Sequence, residues 1–227
     1  MLVQWNINGV FNNFEEIRQI IATKSPDIIC LQETHLQPKY NAKLQSYTTY
    51  RSDYINNYNA SGGVATFVRD SCTSHQVINT SSSIQHITIK TLIPRISTTT
   101  AITFCNVYIP PNNEPSYAEI SNLISQLNKP FVLLGDMNAH SPMWGSTRTN
   151  IRGKLFEKLL QDYDHIVLLN DESPTHFNSY NGTLTSIDLT IASTDIAAKL
   201  KWQVHTDLFP RNLVKCCGHS CSKTRQE

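Results

Sequence analysis

Long apolar runs are missing from this sequence. No stretch of its 227 residues approaches the roughly 20 apolar positions that a membrane span needs, so no membrane partner is expected. The opening MLVQWNINGV has neither a basic n-region nor a long apolar h-region. The expectation is therefore a non-secreted, intracellular chain of the nucleus or cytoplasm. A charge excess is missing too, with 19 Lys+Arg against 18 Asp+Glu. That balance argues against a protein that grips nucleic acid by charge alone, but not against an enzyme that touches a few phosphates and lets go. Internal repeats, low-complexity blocks and linkers long enough to separate domains are absent as well. Cysteines do not form a disulfide pattern. Cys30, Cys72 and Cys105 are scattered and read as buried free thiols of a reducing compartment. Cys216, Cys217 and Cys221 crowd into CCGHSC, which lacks the second spaced pair of a zinc site.

Short apolar, β-branched runs are what the sequence has in quantity. They recur at 2–5, 27–31, 63–68, 86–92, 101–108, 131–135, 166–169 and 187–192 and predict strands. Three segments carry the helical period instead. FEEIRQIIATK places Phe14, Ile17, Ile20 and Ile21 on one face, after Asn12 and Asn13 as caps. SYAEISNLISQL opens with Ser116 and Glu119 in capping-box spacing, then Ile120, Leu123, Ile124 and Leu127 form one stripe. RGKLFEKLLQ repeats the pattern with Leu155, Phe156, Leu159 and Leu160. Helices interspersed among many strands indicate a mixed α and β domain.

Polar side chains gather where the strands end. QWNING offers Asn6 and Asn8, DIICLQETHL offers Glu33, and FCNVYIPPN offers Tyr108. LLGDMNAH offers Asp136, Asn138 and His140, and TSIDLTI buries Asp188 in an apolar run. Each has a structural reading of its own. The asparagines suit turns, Glu33 and Asp136 suit helix caps, and Tyr108 suits a core aromatic with its hydroxyl at the surface. Asp188 resists that treatment, because a carboxylate is costly to bury unpaired. Converging on one rim, two carboxylates and several amides would suit magnesium, which takes oxygen ligands, keeps waters and binds phosphate. A further acid would orient or deprotonate a water, and together these groups would hydrolyse a phosphoester.

The blocks QWNING, LQETHL, SGGVATFVR, NVYIPPN, LLGDMNAH, RGKLFEKLL, PTHF and TSIDLTI run in this order from residue 2 to about 192. They resemble the endonuclease/exonuclease/phosphatase superfamily, which includes deoxyribonuclease I and the apurinic/apyrimidinic endonucleases. Within it, GDMNAHSPMWGSTRTNIRGKLFEKLL is most similar to the endonuclease domain of non-LTR (LINE-type) retrotransposons. The resemblance implies an α/β (α+β) fold, a four-layer αββα sandwich of two packed mixed β-sheets flanked by helices, with the site at one rim. It implies a monomer that nicks DNA with Mg2+, Mn2+ serving as substitute, and a reverse transcriptase domain as partner in the parent element. By motif, Asn6 and Glu33 match metal-binding positions, with Asn8 alongside. Tyr108 matches the tyrosine at the scissile phosphate, Asp136 the acid that acts on water, and Asn138 a phosphate holder. Thr175 and Asp188 match site-lining positions, Asp188 as the partner of a catalytic histidine. Arg148 and Arg152 are candidates for phosphate contacts or for solvated positions around a helix start.

The sequence departs from the family at its end. The family pattern closes with Ser-Asp-His and a short apolar strand. KWQVHTDLF, residues 201–209, approaches that motif, but the chain continues PRNLVKCCGHSCSKTRQE and contains no Ser-Asp-His anywhere. His205 and His219 lack the family context. The expectation is a domain over 1–209 without its last strand and a divergent, poorly ordered tail over 210–227, as in a truncated, frameshifted or mis-spliced element. Losing a general acid–base group removes roughly 10²–10⁴-fold in rate. Three readings stay open: a DNA-nicking endonuclease, an inactive remnant or DNA-binding module of the same fold, and a phosphatase of small molecules or lipid headgroups. Plasmid nicking against inositol-phosphate hydrolysis separates the first from the third.

Overall fold

The computed structural model describes all residues except 57–58, 73–74, 95, 98, 179–181, 206–213 and 219–227, and gives the backbone alone for 56 and 214–218. In chain order the elements are β1 (Leu2–Asn6), α1 (Phe14–Lys24), β2 (Ile28–Gln32), β3 (Tyr47–Ser52), β4 (Ile55–Asn56), β5 (Asn59–Ala60), β6 (Val64–Arg69), β7 (Gln76–Val77), β8 (Gln85–Thr91) and β9 (Ile102–Tyr108). There follow α2 (Tyr117–Ser125), β10 (Phe131–Asp136), α3 (Ile151–Asp162), β11 (Ile166–Leu168), β12 (His176–Phe177), β13 (Leu184–Thr185), β14 (Asp188–Ser193), α4 (Thr194–Ala197), β15 (Lys201–His205) and β16 (Val214–Gly218).

Two six-stranded mixed sheets carry the fold, ordered β15-β16-β1-β2-β6-β3 and β11-β14-β10-β9-β8-β7. The central strands are apolar on both faces because both faces are covered. Val3, Trp5, Ile29, Leu31 and Phe67 pack with Ile17 and Ile20 of α1. Their neighbours Leu2, Ile28 and Cys30 point the other way, to Phe104, Val132 and Leu134 of the second sheet. The far side of that sheet presents Cys105, Val107, Leu133 and Ile191 to Ile120 and Leu123 of α2 and Phe156 and Leu159 of α3. The period-two alternation of side chains thus makes four layers. This is the αββα sandwich expected from the sequence.

Every strand expected from the apolar runs forms within one residue of its predicted bounds. The capping box of α2 is complete, with Ser116 accepting from the Glu119 N–H and Glu119 accepting from the Ser116 N–H. At α1 the cap differs from expectation. Asn13 occupies the N-cap but makes no side-chain cap bond; its amide instead donates to the Ile7 and Gly9 carbonyls, 2.8 and 3.2 Å, tying the helix to the loop after β1. Strand β3 has no apolar run behind it. YTTYRS is half-exposed because it sits at a sheet edge.

The end of the chain corrects a further expectation. The last strand is not lost: Val214–Gly218 inserts between β15 and β1, antiparallel to both, pairing Leu2 with Cys217 and Gln4 with Lys215. A backbone ladder needs main-chain groups rather than a particular side chain, so VKCCG supplies it. The rest of the tail, 210–213 and 219–227, lies outside the described residues. Cys30, Cys72 and Cys105 are buried and unbridged, and burial pushes Cys30 and Cys105 up to about 12, as unreactive thiols require. Among the described residues no helix is long and apolar enough to cross a membrane.

Candidate active site

The rim where β1, β2, β9 and β10 end collects the polar residues named from the sequence. Asn6 ends β1 and its Nδ2 donates to two carboxylates, Glu33 at 3.0 Å and Asp136 at 2.7 Å. The Tyr108 hydroxyl donates to the same Glu33 oxygen at 2.6 Å. The Asn8 N–H closes a turn on the Asn6 side-chain oxygen at 3.2 Å. Asn138 donates its backbone N–H to Asp136 at 2.9 Å. Asn6, Asn8, Glu33, Tyr108, Asp136 and Asn138, spread over more than a hundred residues of sequence, therefore form one connected network.

Backbone geometry explains how these side chains reach one another. Asn8, Glu33 and Asn138 have φ of 46, 51 and 47°. That left-handed region is tolerated by asparagine but is unusual for glutamate, and such conformations cost of order 1–3 kcal/mol. The loops hold them there. Gly9 N–H donates to Glu33 O at 2.7 Å, and the N–H groups of Thr34 and His35 donate to Gly63 and Gly62. Gly135, one residue before the acid, has φ of 145°, and a Cβ there would lie 1.9 Å from Val107 O. Only glycine lets β10 run against β9 and deliver Asp136 opposite Tyr108.

Asp188 lies one strand further in, directly across the β10–β14 ladder from Asp136. Like charges so placed repel, and β1 answers with alternate amides. Gln4 Nε2 donates to Asp188 at 2.7 Å, while Asn6, two residues on and on the same face, serves Asp136. Thr175 supports the pair from behind, its hydroxyl accepting from the N–H groups of Ile187 and Asp188 at 3.0 and 3.2 Å.

Burial pushes the Tyr108 phenol well above its ordinary value, and the Glu33 hydrogen bond and charge add to the shift. It stays protonated and acts as a hydrogen-bond donor. Burial lowers His140 below its ordinary 6.5, and the charges of Arg148, Arg152 and His176 lower it further. Arg152 is not at the surface, contrary to a phosphate-contact role. Only 9% exposed, it donates to the carbonyls of Asn138, Pro110, Pro111 and Asn113 at 2.8–3.2 Å. It clamps the loops that carry Asn138. Arg148 is exposed. The Asn138 amide donates to Ile109 O at 3.1 Å, so its position is fixed from within.

Sequence reading missed the amides behind the rim. Gln4 also donates to Gln32 at 2.9 Å, Gln32 donates to Asn106 at 2.6 Å, and Asn106 donates to the Leu31 and Ala65 carbonyls. This buried chain runs between the sheets. Its signal was visible as single amides inside the apolar runs LVQWN, IICLQ and ITFCNVY.

The donors of the rim fit a hard divalent cation. They are carboxylate and amide oxygens, with no thiol or imidazole in the network. Among the described residues no cluster of three or more His, Cys, Asp or Glu side chains suited to a metal assembles. A sparse set of one or two carboxylates is what magnesium or manganese accepts when water and phosphate complete the shell.

Fold and site together define the class, the endonuclease/exonuclease/phosphatase fold with a polar rim of acids and amides. Residues 102–209 match the family described as Endonuclease-reverse transcriptase. A curated relative, the RNA-directed DNA polymerase from mobile element jockey of Drosophila melanogaster, is 27% identical over 181 residues, covering 80% of this chain and 19% of the relative. The chain thus spans about a fifth of that relative's length. Among solved structures, the endonuclease domain of TRAS1, a telomere-specific non-LTR retrotransposon, superposes with a TM-score of 0.76 at 19% identity, covering 98% of this chain and 99% of that one. A 3′ phosphatase from Neisseria bound to a product DNA hairpin gives 0.68 at 17% identity, covering 96 and 98%. More narrowly, the chain is similar to the endonuclease domain of a non-LTR retrotransposon and to part of a mobile-element RNA-directed DNA polymerase.

Proposed function

We propose that this chain is a metal-dependent DNA endonuclease domain of retrotransposon origin that nicks one strand of a duplex. The observation that carries this reading is the convergence of Glu33 and Asp136 on Asn6, with Tyr108 locked onto Glu33. Glu33 and Asn6 would hold Mg2+ or Mn2+, which when bound supplies charge to the phosphate oxygens and leaving group. Asp136, oriented by Asn6 and the Asn138 N–H, takes a proton from the attacking water. Tyr108 keeps its proton and offers it as a hydrogen bond to a phosphate oxygen, a role its upward shift favours. Asn138, pinned by Ile109 and Arg152, limits how the phosphate enters. The partners in this reading are DNA and, in the parent element, a reverse transcriptase domain; the nicking unit is a monomer, residues 1–209 completed by the 214–218 strand.

A second reading, a DNA-binding module with little turnover, is favoured by one observation. Asp188, which by resemblance serves a histidine of Ser-Asp-His, accepts a hydrogen bond from Gln4, and the chain has no Ser-Asp-His. One experiment separates the two. Supercoiled plasmid is incubated with the protein with and without Mg2+, beside Asp136→Ala and a version with Ser-Asp-His restored. Mg2+-dependent nicking lost in Asp136→Ala supports the enzyme. Nicking seen only in the restored version supports the module. Inertness of all three refutes the site assignment.

A further inference from the structure

Beneath the catalytic rim lies a second tier of polar side chains, to which the chemistry above gives no task. Gln4 and Gln32 belong to the first sheet, Asn106 and Asp188 to the second, and all four are buried. The donors of this tier run one way, and main-chain groups set the direction. The carbonyls of Leu31 and Ala65 can only accept, so Asn106 Nδ2 is held 3.1 and 3.0 Å from them. Asn106 Oδ1 then faces Gln32 and accepts from its Nε2 at 2.6 Å. The Gln32 oxygen accepts from Gln4 Nε2 at 2.9 Å, and the same nitrogen reaches Asp188 at 2.7 Å. Gln4 Oε1 has no partner among the described residues, an arrangement that costs stability. Methionine or leucine would fill this space without that cost, so what glutamine contributes is its donors.

The two tiers cross the sandwich at the same places. On the rim, Asn6 of β1 reaches Asp136 of β10, and Tyr108 of β9 reaches Glu33, which follows β2. One step below, Gln4 of β1 reaches Asp188 of β14, and Gln32 of β2 reaches Asn106 of β9. Gln4 and Asn6 stand two residues apart on β1, and Asn106 and Tyr108 two apart on β9, so each pair shares a strand face. Asp188 lies opposite Asp136 in the ladder. In the nicking reading, Tyr108 gives its hydrogen bond to a phosphate oxygen. The Tyr108–Glu33 link between the sheets is then given up. The Gln32–Asn106 link spans the same two strands, is closed off from water and stays.

We propose that Gln32 and Gln4 are positioning residues of the nick, holding the two sheets in register while Tyr108 is engaged with the phosphate. The inference rests on the nuclease reading and has a readout of its own. Gln32→Met, Tyr108→Phe and their combination are made in the full 227-residue chain. In urea without DNA or metal, either link holds the two strands, so the midpoint of the double variant is expected to fall by more than the two single shifts together. In plasmid nicking with Mg2+, Gln32→Met is expected to lower kcat about tenfold to 100-fold, with KM for DNA within about twofold of wild type. On the Tyr108→Phe background the same substitution is expected to cost little further rate, because the group it aligns is gone. Wild-type kcat in a folded Gln32→Met protein, an equal loss of rate on both backgrounds, or additive midpoints overturn the role and leave the nuclease standing. If Gln32→Met does not fold, Gln4→Met, which cuts the other crossing, is read in its place. Absence of Mg2+-dependent nicking by the wild-type chain overturns the nuclease and the role with it.

Discussion

At the scale of residues, the site is a problem of pairing acids in a confined space. Asp136 and Asp188 face each other across a ladder and are only 3% exposed; each is served by an amide from β1. Replacing Gln4 by Leu removes that donor from buried Asp188. Urea denaturation is expected to show a loss of about 1–3 kcal/mol, and no loss would mean that Gln4 is a passive filler. Asp136→Ala is expected to lower Mg2+-dependent nicking by at least about 100-fold, read as the rate of plasmid relaxation. His140 supplies a pH test. Its folded value is depressed, so the unfolded chain takes up the proton first. Stability is full above about 6.5 and falls as pH drops from there toward the lowered folded value. His140→Gln is expected to flatten this fall below about pH 6.5, measured as denaturation midpoints; an equally steep fall would place the titrating group elsewhere.

At the scale of elements, strands and helices act as fixed arms. Strand β10 delivers Asp136 only because Gly135 admits the Val107 carbonyl. Gly135→Ala is therefore expected to give insoluble or unfolded protein, with loss of cooperative unfolding by circular dichroism. The start of α3 governs the loop that follows Asp136. Asn150 accepts from Gly153 at 2.7 Å and from the His140 N–H at 3.0 Å, and donates to the Asn138 carbonyl at 2.9 Å. Asn150→Ala removes a cap and a loop tie, for an expected loss of about 2 kcal/mol. Elements of this kind were largely legible in advance. Each apolar run marked a strand to within a residue, and the Ser116–Glu119 spacing marked the capping box. Strand β3 was not legible, because an edge strand needs few apolar residues. The α1 cap was not either, because Asn13 chose the carbonyls of another loop over its own helix.

At the scale of the whole molecule, the completed first sheet matters most. Strand β16 covers the edge of β1, and β1 carries Gln4 and Asn6 into the site. Deleting residues from 214 onward would leave both β1 and β15 with unpaired groups, a template for association. The shortened protein is expected to elute as larger species in size-exclusion chromatography and to unfold at lower urea. A monomer of unchanged midpoint would show that this strand contributes nothing to the sheet.

The sequence by itself marked the acids and amides that gather at one rim of the sandwich, since they stand at the ends of its apolar runs. It also determined the layered class, because runs apolar on both faces demand cover on both. The tertiary structure alone decided three matters. It turned Arg152 inward, because four loop carbonyls needed a donor. It joined Gln4, Gln32 and Asn106 into one chain, because only the facing of two sheets brings them within reach. And it put VKCCG at the edge of β1, because a sheet edge recruits backbone, which every residue carries, whatever the side chains say.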